Sequence, residues 1–303
     1  MFKPTEGEEF ARDFFVFILM FFILVGNALI IAAFIKNRSL RTGSNVFIVG
    51  LAASDWLVGA IAIPLYVANL KQELPGTLLE RSYITLDIFS GTASVFHLVS
   101  VTVERYIAIT RPFLHRTLLL DSYYKALALV WALSLILSCL DFILTPKVSS
   151  KYPFYILVTL FFLALVTIVP LDILIFKISL SLIRNTVEPA VHSTRSNETL
   201  RRKLRRERRT AATITITCGA FFVTWLPHLV AAFVFTFCFP CNLSPVDIGR
   251  VGAFVKCMQY ANSALNPFVF AFRDAQIRTT IKRMINPCLN IVQSAATSSQ
   301  ESS

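Results

Sequence analysis

The stretch Thr85–Tyr106, TLDIFSGTASVFHLVSVTVERY, sets one carboxylate, Asp87, at the head of an apolar run that closes on Glu104-Arg105-Tyr106. Asp87 and Arg105 are 18 residues apart. On an α-helix that is about five whole turns and a rise of about 27 Å, so the two charges share one face. Their separation is close to the ~30 Å thickness of a bilayer core. The segment reads as a membrane-spanning helix with an anion near one end and a cation at the other.

Working outward, the rest of the chain has the same character. Of its 303 residues, 55% are hydrophobic and only 16% charged, and 27 are phenylalanine. Soluble domains hold about 45–50% apolar residues. Apolar windows long enough to span a bilayer fall near residues 10–35, 46–69, 83–103, 126–145, 154–183, 211–239 and 251–272, joined by short polar connections. The expected fold is an all-α membrane protein, a bundle of seven transmembrane helices. Residues 1–9 form a short N-terminal segment, residues 10–272 the bundle, and residues 273–303 a cytoplasmic tail with a short amphipathic eighth helix.

Basic residues mark the cytoplasmic side of membrane proteins. With the N-terminus outside, 21 of the 29 Lys and Arg fall inside, including the ten between Lys177 and Arg209. The chain is therefore expected to be multi-pass with an extracellular N-terminus. Residues 1–9 do not resemble a cleavable signal, so the first span is expected to act as its own insertion signal. The net charge of +11 and the run RRKLRRERR at 201–209 suit anionic lipid head groups at the inner surface. Nucleic acid is not an expected partner.

Of the six cysteines, Cys139, Cys218 and Cys257 lie inside spans and read as small packing residues. Cys238 and Cys241, in CFPCN, fall in the outer loop between spans six and seven. An oxidising setting favours a local disulfide there, and a lone CxxC has too few ligands for zinc. Cys288 in the basic tail is either a palmitoylation site or a free thiol. Asn242 heads an outer-loop glycosylation sequon.

Strongly polar residues at bilayer depth are expensive and mark sites. Here they are Asp55 in span two, Asp87 and Ser94 in span three, and Asn262, Ser263 and Asn266 in YANSALNPFVF. One carboxylate with several neutral oxygens is a hard-ligand set suited to sodium. The alternative is an interhelical polar network. Pro170 and Pro227 kink spans five and six. Glu207 lies 18 residues before Trp225, so the sixth span joins a core aromatic to a cytoplasmic carboxylate on one face. A contact between Glu207 and Arg105 would clamp spans three and six.

In this order these residues closely resemble the rhodopsin-like (class A) G-protein-coupled receptors, nearest their biogenic-amine branch. The motifs are Gly26-Asn27, LAASD ending at Asp55, ERYIAITRPF from Glu104, Trp131, Pro170, FFVTWLP through Pro227, and NPFVF containing Pro267, followed by AFRD. The resemblance implies a receptor, not an enzyme, that passes the binding of a small extracellular ligand to heterotrimeric G proteins, with arrestin and receptor kinases as further partners. No cofactor is implied beyond an allosteric sodium ion on Asp55, Ser94, Asn262, Ser263 and Asn266. Arg105, in Glu104-Arg105-Tyr106, would be held by Glu104 and Glu207 at rest and released to a Gα subunit, while Phe113 enters a pocket of that subunit. Pro170, Val95 and Phe221 would form a relay above which Trp225 floors the ligand site.

The resemblance also implies that Asp87 anchors a protonated amine, with the Tyr260 hydroxyl on the same carboxylate and with Phe162 and His228 lining the site. The alternative is an internal ion pair between Asp87 and Lys256, one turn outward of Tyr260, which favours a zwitterionic, acidic, lipid or peptide ligand. Several positions depart from the family pattern. Glu80 replaces the usual outer cysteine, Phe270 the span-seven tyrosine and Ile178 the span-five tyrosine. Tyr260 also stands where an opsin needs its lysine, which argues against retinal.

Overall fold

A computed structural model of the chain describes residues 5–71, 77–144, 152–187, 194–237 and 244–286. Helix α1 spans Glu6–Lys36 and starts four residues before the apolar window. A reciprocal cap sets that start: the Glu8 amide donates to Thr5 Oγ1 at 3.3 Å, and the Thr5 amide donates to Glu8 Oε2 at 3.0 Å. Glu6, Glu8 and Glu9 place negative charge at the positive end of the helix dipole.

The second span is interrupted. Helix α2, Gly43–Leu57, passes into a π turn at Val58–Ala62 before α3, Ile63–Leu70. Pro64 stands at the head of α3 and has no N–H to give to the preceding turn, which suits a widened turn at this point. Helix α4 covers Leu78–Thr110 without a break and carries both Asp87 and Arg105. Then follow a one-loop helix α5 at Pro112–Thr117, α6 at Leu120–Leu144, α7 at Tyr152–Val187, α8 at Thr194–Phe237 and α9 at Pro245–Arg273. A last helix, α10, runs over residues 275–286. Its Ile277 is buried with Ile281 and Met284 against the core, while Arg278, Lys282 and Arg283 are exposed. That is the amphipathic eighth helix expected after the seven spans.

Helix packing closes a ring: α1 touches α2 and α9, α2 touches α4, α4 touches α7, α7 touches α8, and α8 touches α9. Helix α6 leans on α2 and α4 from outside, and α4 crosses the middle. Among the described residues, six helical segments are long and apolar enough to cross a membrane. The seventh, α9, falls short on composition because Lys256, Gln259, Asn262, Ser263 and Asn266 dilute it, yet all of these are buried or half-buried. The outer surface is apolar instead, with Phe14, Phe21, Leu135, Val166 and Phe233 each more than half exposed. Such an inverted surface belongs in lipid, where the bundle interior is the only shelter for polar groups.

Candidate functional site

A cavity of about 370 Å³ opens between α4, α7, α8 and α9. Its walls are mostly aliphatic and aromatic; Asp87 and Lys256 bring the charge. They face each other: Lys256 Nζ donates to Asp87 Oδ2 at 2.7 Å, with the side chains 14% and 20% exposed respectively. Lys256 also donates to Gln259 Oε1 at 2.9 Å and lies 5.2 Å from the centre of the Tyr83 ring. The ammonium is thus held by a carboxylate, an amide oxygen and an aromatic face.

Trp225 floors the cavity, with His228 edge-on to it at 5.9 Å. Gly91 on α4 makes room for that indole, since a Cβ there would lie 2.6 Å from its ring. Two expected wall residues sit elsewhere. Phe162 is 53% exposed on the lipid side, and Phe154, Leu157 and Phe161 supply the α7 wall instead. Adjacent helical residues point about 100° apart, so Phe161 and Phe162 cannot share a face. The Tyr260 ring packs edge-on against Tyr66 at 5.8 Å, and its hydroxyl makes no hydrogen bond to Asp87, whose carboxylate is taken by Lys256.

Below the floor lies the second polar cluster. Asp55 is fully buried; its Oδ1 accepts from Ser263 Oγ and its Oδ2 from Asn266 Nδ2, both at 2.7 Å. Asn27 ties α1 to the same place, its Nδ2 donating to the carbonyls of Ile23 at 2.9 Å and Ser263 at 3.2 Å. Ser94, Asn262 and Ser263 line a cavity of about 20 Å³ that reaches Trp225 and Asp87; Asp55 is not on its wall and meets it through Ser263. Among the described residues, Asn262 Oδ1 is buried without a hydrogen-bond partner and no cationic side chain pairs with Asp55.

Val95, Phe221 and Trp225 pack in one buried cluster, with Phe221 and Trp225 ring centres 5.4 Å apart. Pro170 is exposed on the outer face of α7; Phe161, Ala164 and Ile168 pack into the cluster from that helix. Pro227 lies half-buried in α8 below His228, and Pro267 of α9 is buried against Gly26, where an added Cβ would lie 2.9 Å from the proline ring.

At the end of α4 away from the cavity, Glu104 collects three partners. Ser44 Oγ of α2 donates to its Oε2, His115 Nε2 of α5 lies 2.8 Å from its Oε1, and Arg105 Nε approaches within 3.2 Å. Tyr106 is half-buried beside them. Through His115 this carboxylate fixes α5, which carries Phe113, 82% exposed, at this end of the bundle. The Glu207 side chain, Cys238, Cys241, Asn242 and Cys288 lie outside the described residues. Sequence reasoning missed His115, Gln259 and the π turn. The first two had a readable signal in retrospect, His115 two residues past ERYIAITRPF and Gln259 three residues after Lys256.

A helical bundle with a pocket at one end, a buried polar core and a charged cluster at the other end is the architecture of a seven-helix membrane receptor. Residues 26–270 match the 7 transmembrane receptor (rhodopsin family), and the chain belongs to that family. Its members are receptors and not enzymes, so the chain is a multi-pass membrane receptor. Among curated relatives, it is 27% identical to trace amine-associated receptor 9 of Rattus norvegicus over 285 residues, covering 86% of this chain and 82% of the relative. It is 28% identical to the D(1)-like dopamine receptor of Oreochromis mossambicus over 287 residues, covering 84% and 73%. The histamine H2 receptor of Rattus norvegicus is 28% identical over 293 residues, covering 88% and 77%.

Proposed function

We propose that this receptor lies in the plasma membrane with its N-terminus outside and reports a small extracellular ligand whose protonated amine is anchored on Asp87. The observation that carries this reading is the Asp87 carboxylate on the wall of the outer cavity. The names of the relatives, which include trace amine, dopamine and histamine receptors, support it. The Lys and Arg bias supports the orientation. A desolvated carboxylate binds an ammonium strongly because few other partners are at hand. On the inner side, Arg105, Tyr106 and Phe113 meet the G protein, with Glu104 and Glu207 holding Arg105 at rest; arrestin and receptor kinases use the same face.

The test is cyclic AMP and calcium signalling in cells expressing the wild type and Asp87→Asn at matched surface levels, across protonated amines and neutral or acidic controls. Asp87→Asn is expected to lower amine potency about 100-fold, the equivalent of ~3 kcal/mol for a lost hydrogen bond to a charged group. The 2.7 Å contact of Lys256 with Asp87 favours a second reading, a peptide, lipid or acidic ligand that leaves Asp87 paired. A response that survives Asp87→Asn selects it.

The polar core fits a sodium ion. Ser94, Asn262 and Ser263 offer oxygens around a space the size of one water, and Ser263 links that space to Asp55, a carboxylate with no cationic partner among the described residues. The ion would neutralise Asp55 and favour the resting state, and Asp55, Ser94, Asn262, Ser263 and Asn266 would hold it. Replacing choline chloride by sodium chloride is expected to stabilise the purified receptor by about 1.4 kcal/mol at ten times the Kd. Asp55→Asn removes that increment, read as a thermal-shift difference.

A further inference from the structure

We infer that the ligand of the outer pocket carries both charges: an ammonium taken by Asp87 and an acidic group taken by Lys256, on a small zwitterion with one bulky apolar side group. The inference rests on the proposed anchoring of an amine at Asp87 and adds what happens to Lys256. Asp87 and Lys256 already satisfy each other at 2.7 Å, so the pocket holds a neutral pair. A ligand with an ammonium alone would take Asp87 and leave a second cation in the same cavity. Gln259 and the Tyr83 ring would still hold Lys256, yet neither supplies negative charge, and two cations within a few ångströms repel strongly at low dielectric. A ligand with an acid alone meets the mirror problem at Asp87. A zwitterion exchanges one ion pair for two and leaves the net charge of the cavity at zero.

The two protein charges are in contact, so the ligand's own charges must also be close, as they are in an α-amino acid. The remaining wall fixes the rest of the molecule. Ile88, Val95, Leu157, Phe161 and Phe221 line the interior of a cavity of about 370 Å³. That space takes a large aliphatic or aromatic side group. At its floor the Trp225 Nε1 donor is buried without a hydrogen-bond partner among the described residues, so the ligand's apolar group can lie against the indole without displacing a bond.

The probes are phenylalanine and leucine, their decarboxylated amines phenethylamine and isoamylamine, and the matching carboxylic acids that lack the amine. Each is assayed on the wild type, Lys256→Met, Lys256→Arg and Asp87→Asn receptors with surface level measured by an epitope tag. The expected result is that at least one amino acid is ten-fold or more stronger than its amine on the wild type. Lys256→Met should then weaken the amino acid at least ten-fold and leave the amine equal or stronger, while Lys256→Arg keeps the wild-type order. Retention in Lys256→Arg separates loss of charge from loss of folding. Amines that match or exceed the amino acids, with Lys256→Met changing neither, overturn this inference and leave the amine reading intact if Asp87→Asn still silences them. Silence to every amino acid also overturns it. Responses to the acids alone that ignore Asp87→Asn overturn both readings.

Discussion

Lys256→Met lowers the melting temperature of the detergent-purified receptor by about 5 °C, and adding Asp87→Asn to it restores most of the loss. The magnitude follows from the geometry. Removing one partner of a largely buried ion pair leaves a bare charge and costs about 3 kcal/mol, which for a chain of this size is a shift of several degrees. Lys256→Met strands the Asp87 carboxylate in a mostly apolar cavity. The double variant is electrically neutral, and a neutral pair of similar volume in place of a buried ion pair is close to harmless. The coupling energy of the cycle therefore has a sign and a size: strongly favourable for the native pair, with singles that do not add. Additive singles, or a Lys256→Met receptor as stable as wild type, would show that the two charges do not meet at 2.7 Å.

The stranded carboxylate has a second consequence. Asp87 freed of Lys256 is a stronger anchor for a simple amine, so the variant that weakens the apo receptor is also the one in which amines stabilise it most. Ligand binding to the folded state alone raises stability with concentration, and the increment from a saturating amine should be larger in Lys256→Met than in the wild type. Stability and ligand preference are thus two readings of one contact.

How much of this was legible in the sequence depends on whether a residue's partner is near or far along the chain. The spans were legible from length and apolarity, because the bilayer fixes both. The polar core was legible as a set, since placing Asp55, Asn262, Ser263 and Asn266 at bilayer depth is too costly to be accidental. Facing was less so. Phe162 and Phe161 are both apolar and adjacent, and in a membrane helix the lipid side is as apolar as the core, so composition does not tell which one turns inward. The same ambiguity hides Pro170 on the outer face of α7. Partner choice was the other gap: Tyr260 and Lys256 both lay within reach of Asp87 by helical spacing, and the longer, charged side chain takes the carboxylate. Glu104 was expected to hold Arg105, but its bonds to Ser44 and His115 join residues 60 and 11 positions away. The packing of α2 and α5 on α4 brings both to the carboxylate.

Gly50→Leu is expected to abolish surface expression, and Gly50→Ala to reduce it. Gly50 lies buried where α2, α4 and α6 converge. A Cβ there would stand 2.3 Å from His97 Nε2 and 2.5 Å from Leu127 Cδ1. The imidazole has nowhere to retreat: its Nδ1 is 2.6 Å from the Ala93 carbonyl oxygen, its ring meets Trp131 edge-on at 5.6 Å, and it is fully buried. One extra methyl in such a place costs about 1–3 kcal/mol by overpacking, against a gain of about 1 kcal/mol from replacing glycine inside a helix. The overpacking term wins for alanine by a modest margin and for leucine decisively. Two controls isolate the cause. Gly219 on α8 has nothing within 4 Å of an added Cβ, so Gly219→Ala should raise the melting temperature slightly. His97→Ala empties the space that Gly50 serves, so Gly50→Ala on that background should cost nothing further, whereas unchanged loss there would place the obstruction on Leu127.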